Sequence, residues 1–137
     1  MVVGVLGAGK ISKKHINSLK KLEEVEVRVA DITNEQANIM SEKLNIGYEK
    51  SPSNLVESDN VDVIDVCTPV KTHRDIILGS IRNDKHVFCE KPLCTSVNEA
   101  YEIKGAAEAT DRIVAVGYLY RFHPAMQELK RIVDENV

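Results

Sequence analysis

The sequence predicts an α/β fold built on a doubly wound, mostly parallel sheet of about six strands, with helices on both faces. Short apolar runs alternate with amphipathic stretches along all 137 residues, and that alternation is typical of β-α units around a parallel sheet. Glycines occupy the turn between the first apolar run and the first amphipathic stretch, where such a unit bends sharply. The length suits a single domain, which we assign to residues 1–137.

The first half of the chain alternates regularly between the two kinds of element. The predicted elements are a strand at 2–7, a helix at 10–22, a strand at 25–31, a helix after Thr33, a short strand at 46–51 and a brief helix at 52–58. The first helix would place Ile16, Leu19 and Leu22 on one face. Thr33 and Gln36 have the spacing of a capping box, which predicts the start of the second helix.

The second half continues the same alternation. The predicted elements are a strand at 61–68, a helix around 73–83, a strand at 85–90, a helix at 97–109, a strand at 112–118 and a closing helix at 124–136. Ser96 and Glu99 form a second possible capping box, and Pro124 lies near the first turn of the last helix. Asp65 stands out, because a carboxylate is unexpected inside a strand that should be buried on both faces.

Composition narrows the function classes. The net charge of −3, from 18 basic and 21 acidic residues, favours neither nucleic acid nor an acidic membrane surface as a partner. No apolar run approaches the length of a membrane span, and the N-terminus lacks the features of a signal peptide. Three cysteines cannot form a complete disulfide framework, which predicts a reducing, cytoplasmic location.

The turn "GAGKIS" at 7–12 has the character of a phosphate-binding loop. Gly7 permits the tight turn, and Gly9 lets the backbone come close to a pyrophosphate. The start of the following helix offers free N–H groups and the positive end of its dipole. Ser12 takes the third position of the fingerprint, where a small residue still permits close packing of helix and strand. The loop therefore predicts a dinucleotide site.

Asp31 predicts which dinucleotide would bind. It ends the second strand, 22 residues beyond Gly9, where a carboxylate can accept both hydroxyls of the adenosine ribose and would repel a 2′-phosphate. Ile32 and Thr33 follow, so no adjacent arginine favours NADP. We therefore expect NAD rather than NADP. The alternative is that the glycines form an ordinary tight turn and that Asp31 is a solvated strand end.

Other chemically distinctive residues follow predicted strands at the same end of the sheet. Cys67, Thr68 and Pro69 follow one strand, and "EKP" at 90–92 follows the next. In a doubly wound sheet, ligands bind beyond the carboxyl ends of the strands. A cofactor cleft at that edge would explain why a carboxylate and an ammonium directly follow an apolar strand.

These segments resemble the glucose–fructose oxidoreductase and inositol dehydrogenase family. The matching pieces run in family order and cover nearly the whole chain; they are "GAGKIS", "VAD", "VDVIDVCTPVKTH", "EKP" and "GYLYRFHP". The resemblance implies a Rossmann fold and a nicotinamide cofactor. Val70 departs from the pattern, since many relatives carry a polar residue there, and this puts one contact to the cofactor in doubt.

The resemblance also implies roles for particular residues. Those expected at the cofactor are Gly7, Gly9, Lys10 and Ile11 at the pyrophosphate, Asp31 at the adenosine ribose, Thr68, Pro69 and His73 at the border of the cleft, Glu90 at the nicotinamide ribose, and Arg121 near the nicotinamide. Lys91 is expected to contact the cofactor as well, and it would reach the substrate hydroxyl that is oxidised and stabilise a developing alkoxide.

Each of these roles has an alternative in ordinary structural chemistry. Lys91 could be a surface lysine paired with an acid, and His73 could simply begin a helix. His15, His86 and His123 lack the spacing of metal ligands, so we interpret them as structural or exposed. Cys67 and Cys89 are expected to be small core residues rather than a redox pair.

Family members continue into a second domain that supplies much of the substrate pocket. Residues 1–137 resemble only the dinucleotide-binding domain of these proteins. Two hypotheses follow. The chain contributes NAD and Lys91 to an oxidoreductase acting on a sugar or cyclitol hydroxyl, and it is inactive alone. Alternatively, it is a stand-alone NAD-sensing or subunit-pairing module without catalysis. Self-association is compatible with either hypothesis, because the fold leaves sheet edges and some apolar surface exposed.

Overall fold

A six-stranded, wholly parallel sheet organises the computed structural model, which describes residues 1–135. Residues 136–137, the end of the predicted domain and closing helix, lie outside the described residues. The strands are β1 Val2–Leu6, β2 Glu26–Ala30, β3 Gly47–Tyr48, β4 Val63–Val66, β5 His86–Cys89 and β6 Val114–Val116. Their order across the sheet is β3-β2-β1-β4-β5-β6, so the chain changes direction between β1 and β4. This is the doubly wound topology that the sequence predicts.

Six helices connect the strands. They are α1 Lys10–Leu19, α2 Asn34–Leu44, α3 Pro52–Glu57, α4 His73–Arg82, α5 Val97–Glu108 and α6 Pro124–Asp134. Short 3₁₀ turns at Val70–Thr72 and Leu119–Phe122 precede α4 and α6. Each element lies within a predicted one, but most are shorter at the ends, where strands lose ladder partners and helices fray.

Two apolar clusters lie on opposite faces of the sheet. One contains β1 residues Val3 and Val5 packed against Ile16 of α1 and Ala37 of α2. The other joins the opposite faces of the strands to α3, α4 and α5; among its members are Leu6, Leu55, Ile64, Ile77, Val87 and Ile103. Each such side chain, when fully buried, contributes about 1.5–3 kcal/mol to folding. These two layers hold the strand ends, and the loops that follow them, in fixed positions.

Three local predictions need correction. Helix α1 ends at Leu19 rather than at residue 22. Leu22 is exposed, so packing of its side chain does not stabilise a longer helix. The Thr33 side chain makes no capping hydrogen bond; the Asp31 carboxylate instead accepts from the Thr33 N–H at 2.7 Å. At α5, Ser96 caps the Glu99 N–H as expected, but the Glu99 carboxylate accepts from Thr95, outside the predicted box.

Helix α6 stands apart from the sheet. Its main contact is the 3₁₀ turn that precedes it, and its apolar side chains are exposed, namely Met126, Leu129, Ile132 and Val133. The ring of His123 accepts a hydrogen bond from the Ala125 N–H at its start. Within residues 1–135, no helix is both long and apolar enough to cross a membrane.

Candidate dinucleotide site

The carboxyl edge of the sheet is joined by four backbone hydrogen bonds. In each, the first residue beyond one strand donates its N–H to the last residue of the neighbouring strand. The pairs are Gly7 to Ala30 at 2.8 Å, Cys67 to Leu6 at 2.9 Å, Glu90 to Val66 at 3.0 Å and Gly117 to Cys89 at 2.8 Å. Four loops therefore leave the sheet side by side, and their side chains can meet above one edge.

The two glycines of the first loop have different structural roles. Gly7 has a φ of +100°, and a Cβ atom there would lie 2.9 Å from the carbonyl oxygen of Cys67. A Cβ atom at Gly9 would meet no heavy atom within 4 Å, so the space above this backbone is open. Ser12, which is buried, accepts a hydrogen bond from the Gly9 N–H at 3.2 Å. Gly7 thus shapes the turn, and Gly9 leaves room for a pyrophosphate.

The first turn of α1 faces this open space. Lys10 and Ile11 are its first residues, and the first N–H groups of a helix have no partner within the helix. A shallow pocket of about 390 Å³ lies between α1 and α2, lined by Gly9, Lys10 and Met40 among others. The residues present therefore fit a dinucleotide phosphate, because donors and the positive helix end converge there.

Asp31 lies beside the glycine loop. One carboxylate oxygen accepts from the Ala8 N–H at 2.7 Å, and the other accepts from the Thr33 N–H at 2.7 Å. A carboxylate offers about four lone-pair sites, so each oxygen keeps the capacity to accept from a ribose hydroxyl. The neighbouring Ile32 side chain is 92% exposed. The two backbone bonds orient Asp31 before any ligand arrives.

A cleft at this edge has a volume of about 1000 Å³ and brings five of the predicted residues together. Its lining includes Ile11, Thr68, Glu90, Lys91 and Arg121, together with the segment 117–120. Lys91 is exposed, and no acidic side chain within residues 1–135 forms an ion pair with it. The alternative interpretation of Lys91 as half of a surface ion pair therefore has no support among those residues.

Pro69 and His73, which were expected at the border of the cleft, are not among the residues that line it. The Pro69 carbonyl accepts from the Thr72 N–H at 2.9 Å in the turn before α4. His73 is buried, with Nε2 2.8 Å from the Thr68 carbonyl oxygen and Nδ1 3.0 Å from that of Pro92. Its ring instead links the segment containing Thr68 to the segment containing Lys91, and its role at the cofactor stays a prediction.

His15 makes contacts that the sequence did not reveal. Its Nδ1 lies 2.9 Å from Asp65 Oδ2, and its Nε2 lies 3.2 Å from Glu90 Oε1. Hydrogen bonding to Asp65 raises the pKa of His15, partly opposed by burial, and Glu90 adds to the rise. This pairing explains the carboxylate inside β4. The one sequence feature that pointed toward this pairing is the spacing of His15, three residues after Ser12, because this spacing places both on the same face of α1.

The cysteines are free thiols, and Cys67 and Cys89 are buried. Burial, with nearby carboxylates, raises the pKa of Cys89 to about 12 and also raises the pKa of Cys67. Ligand atoms of His15, Asp65 and Cys67 lie within 4.8 Å of one another. Because Nδ1 of His15 already contacts Asp65 and the thiol resists ionisation, hydrogen bonding accounts for this group.

Comparison with known proteins identifies the family. Residues 1–118 match the profile of the GFO/IDH/MocA family, described as "Oxidoreductase family, NAD-binding Rossmann fold". The chain belongs to this family. The resemblance to this family is thereby confirmed, as are the Rossmann fold and the nicotinamide dinucleotide as the class of cofactor.

Several GFO/IDH/MocA relatives are inositol dehydrogenases. The chain is 31% identical to myo-inositol 2-dehydrogenase of Thermotoga maritima over 136 residues, which is 98% of this chain and 41% of the relative. It is 31% identical to scyllo-inositol 2-dehydrogenase (NAD(+)) of Bacillus subtilis, covering 95% of this chain and 39% of that protein. The chain thus spans about 40% of the length of these relatives.

Solved structures agree with the fold. KijD10, a 3-ketoreductase from Actinomadura kijaniata in complex with NADP and TDP-benzene, superposes with a TM-score of 0.89 at 26% identity, covering 98% of this chain and 41% of that one. A probable dehydrogenase from Thermotoga maritima gives 0.89 at 30% identity, with 98% and 41% covered. The GFO/IDH/MocA fold is therefore present along nearly the whole chain.

Proposed function

We propose that this chain is the cofactor-binding part of a dehydrogenase that transfers a hydride between NAD and a hydroxyl group of a sugar or cyclitol. The position of Lys91 in the cleft beside Glu90 and Thr68 is the observation that carries this proposal. The relatives named for inositol oxidation support the substrate class. Because the chain spans about 40% of those relatives, we further propose that a second domain completes the substrate pocket and that residues 1–137 form one domain.

The chain's own residues would hold the cofactor along the sheet edge. Backbone N–H groups of Lys10 and Ile11 would bind the pyrophosphate above Gly9, where the backbone is open. Asp31 would bind the adenosine ribose, and Ile32 offers no cation for a 2′-phosphate. We therefore propose a preference for NAD over NADP, although one structural neighbour was solved with NADP.

The other half of the cleft would orient the reacting groups. A bound nicotinamide ring supplies the hydride acceptor or donor. Lys91 would donate a hydrogen bond to the substrate oxygen and stabilise negative charge that develops on it. Thr68 would border the cleft, Glu90 would face the nicotinamide ribose, and Arg121, which also lines the cleft, would lie near the nicotinamide. Pro69 and His73 would fix the loops that carry these side chains.

A fusion of this chain to the remaining part of the Thermotoga relative tests the proposal. Lys91→Ala should abolish inositol-dependent NADH formation, because it removes the donor to the reacting oxygen, while leaving the Kd for NADH within about threefold. Lys104→Ala is the matched control, since Lys104 lies on the surface of α5 and pairs with Glu108. Unchanged turnover in Lys91→Ala would show that this catalytic role is wrong.

One observation favours a second function, a pairing or NAD-sensing module without catalysis. Helix α6 exposes a continuous apolar stripe that contains Leu129 and Ile132, and such stripes usually pack against another surface. We propose that α6 of one copy packs against α6 of another. Sedimentation should show a dimer that the double variant Leu129→Lys, Ile132→Lys converts to a monomer. Alcohol oxidation by the 137-residue chain alone would count against a module without catalysis.

We also propose a cytoplasmic location, which the cysteines support. Cys67, Cys89 and Cys94 are all free thiols, and free thiols persist where the environment is reducing. This supports a cytoplasmic location, which fractionation of cells that express the chain would test.

A further inference from the structure

A buried cluster of His15, Asp65 and Glu90 joins the interior of the sheet to the cofactor cleft. The ring of His15 lies between the two carboxylates, 2.9 Å from Asp65 and 3.2 Å from Glu90. It also packs edge-on against Phe88, with ring centroids 5.7 Å apart. Side-chain exposure is only 12% for His15 and 5% for Asp65. Of these groups, only Glu90 reaches the cleft wall.

The contacts of His15 favour a ring that carries a proton on both nitrogens. Both nitrogens face carboxylate oxygens, and a neutral imidazole carries only one N–H. Deprotonation would leave either Asp65 or Glu90 without this donor. Within residues 1–135 the Asp65 carboxylate has one other side-chain partner, the thiol of Cys67 at 3.5 Å. The other oxygen of Glu90 accepts a hydrogen bond from the Lys91 N–H at 2.9 Å. Glu90 therefore keeps a partner without His15, and its carboxylate can turn about that bond when the contact to His15 is lost.

We propose that His15 is a positioning residue whose doubly protonated ring holds the Glu90 carboxylate at the cleft, and that loss of its proton increases the preference of the cleft for NAD⁺ over NADH. The inference rests on the proposed binding of the dinucleotide beside Glu90. Two carboxylates and one imidazolium give the cluster a net charge of −1, and a neutral ring gives −2. The oxidised nicotinamide carries a positive charge that the reduced form lacks, so the more negative cluster favours NAD⁺.

Other titratable groups line the two pockets beside the cluster. Among residues 1–135 they are the N-terminal ammonium of Met1, Lys14 on α1, Cys67 after β4, Lys91 after β5, and Tyr118, Tyr120 and Arg121 after β6. The Cys67 thiol does not ionise near neutral pH, because burial raises its pKa. The rest, and His73, are retained in every variant used below, so His15→Gln and Asp65→Asn each change one group of the cluster itself.

Measurement of the Kd for NAD⁺ and for NADH between pH 5.5 and 8.5 tests the proposal on the full 137-residue chain. In the unmodified chain, the ratio of the NADH Kd to the NAD⁺ Kd should rise on the order of three- to tenfold with pH. His15→Gln should flatten the rise. Asp65→Asn should move it to lower pH, because Asp65 is the main cause of the raised pKa of His15. His86→Gln is the matched control at the opposite edge of the sheet and should behave as the unmodified chain.

The outcomes separate this inference from the proposed function. Failure of the chain to bind either nucleotide at any pH would overturn both. Binding with a ratio that does not change with pH, or a rise that persists in His15→Gln, would overturn only the role of His15. If His15→Gln does not fold, NMR titration of the His15 ring in the unmodified chain decides: NAD⁺ should lower the midpoint relative to NADH, and equal midpoints would overturn the proposal.

Discussion

Gly7 packs so closely against the backbone of Cys67 that a Cβ atom at position 7 would lie 2.9 Å from the Cys67 carbonyl oxygen. The same residue has a φ of +100°, which side chains with a Cβ rarely adopt. This contact joins the loop after β1 to the loop after β4, at the point where the strand order reverses. The turn that carries the cofactor loop is therefore fixed by folding before any ligand binds.

Alanine at Gly7 and at Gly9 should give opposite results. Gly7→Ala should lower the free energy of unfolding by at least about 1 kcal/mol, because it adds both strain and a clash with backbone. Gly9→Ala should change that free energy by less than about 0.5 kcal/mol, since its φ is −89° and the space is open. Gly9→Ala should instead weaken NADH binding about tenfold or more, because the methyl group occupies the space needed by the pyrophosphate.

Urea unfolding measures the free energy of unfolding of both variants, and fluorescence titration measures their affinity for NADH. The assignment of roles is contradicted if Gly7→Ala is as stable as the unmodified chain or if Gly9→Ala binds NADH equally well.

Asp31 should determine the choice between NADH and NADPH. The unmodified chain should bind NADH at least tenfold more tightly, because the carboxylate accepts ribose hydroxyls and repels a 2′-phosphate. Asp31→Asn should narrow that ratio, mainly by weakening NADH binding about tenfold. Glu35→Gln, an acid in the first turn of α2, is the control and should leave the ratio unchanged. Equal affinity of the unmodified chain for NADH and NADPH would contradict the argument.

The stability contributed by His15 should depend on pH. Its pKa is raised in the folded chain above the ordinary 6.5, so protonation favours the folded state. The contribution is fully present below about pH 6.5 and is lost as the pH rises through the higher folded value. The free energy of unfolding of the unmodified chain should therefore exceed that of His15→Gln most at pH 5.5, and the difference should shrink toward pH 9. Urea unfolding across this range provides the measurement, and a difference that grows with pH would contradict the sign of the shift.

The alternation of apolar runs and amphipathic stretches was sufficient to predict the fold. The strands around Val5, Val29 and Ile64 are apolar because helices cover both faces of a parallel sheet, and that burial leaves a direct signal in sequence. The placement of the loops followed from it, since parallel strands put their carboxyl ends at one edge. Element ends were less accurate, as the exposure of Leu22 shows, because they depend on local contacts that periodicity does not report.

The His15 contacts could not be predicted in the same way. His15 and Glu90 are 75 positions apart, and their contact depends on how α1 packs beside β4. Asp65 did give a signal, because a carboxylate in a buried strand requires a partner. The spacing of His15 from Ser12 places both on one face of α1, but spacing alone does not show that this face meets Asp65. The exposure of α6 could not be predicted either. The amphipathic spacing around Leu129 shows that one face of the helix is apolar, but it does not show what covers that face.

Mapping of amide shifts on titration with NADH tests most directly whether one edge of the sheet binds the dinucleotide. With ¹⁵N-labelled chain, the largest changes should occur at Gly9, Asp31 and Glu90, which follow β1, β2 and β5 at the carboxyl edge. The amides of His86 and Arg112, at the amino edge, should not move. Saturable shifts confined to the amino edge, or no saturable shifts at millimolar NADH, would contradict the account.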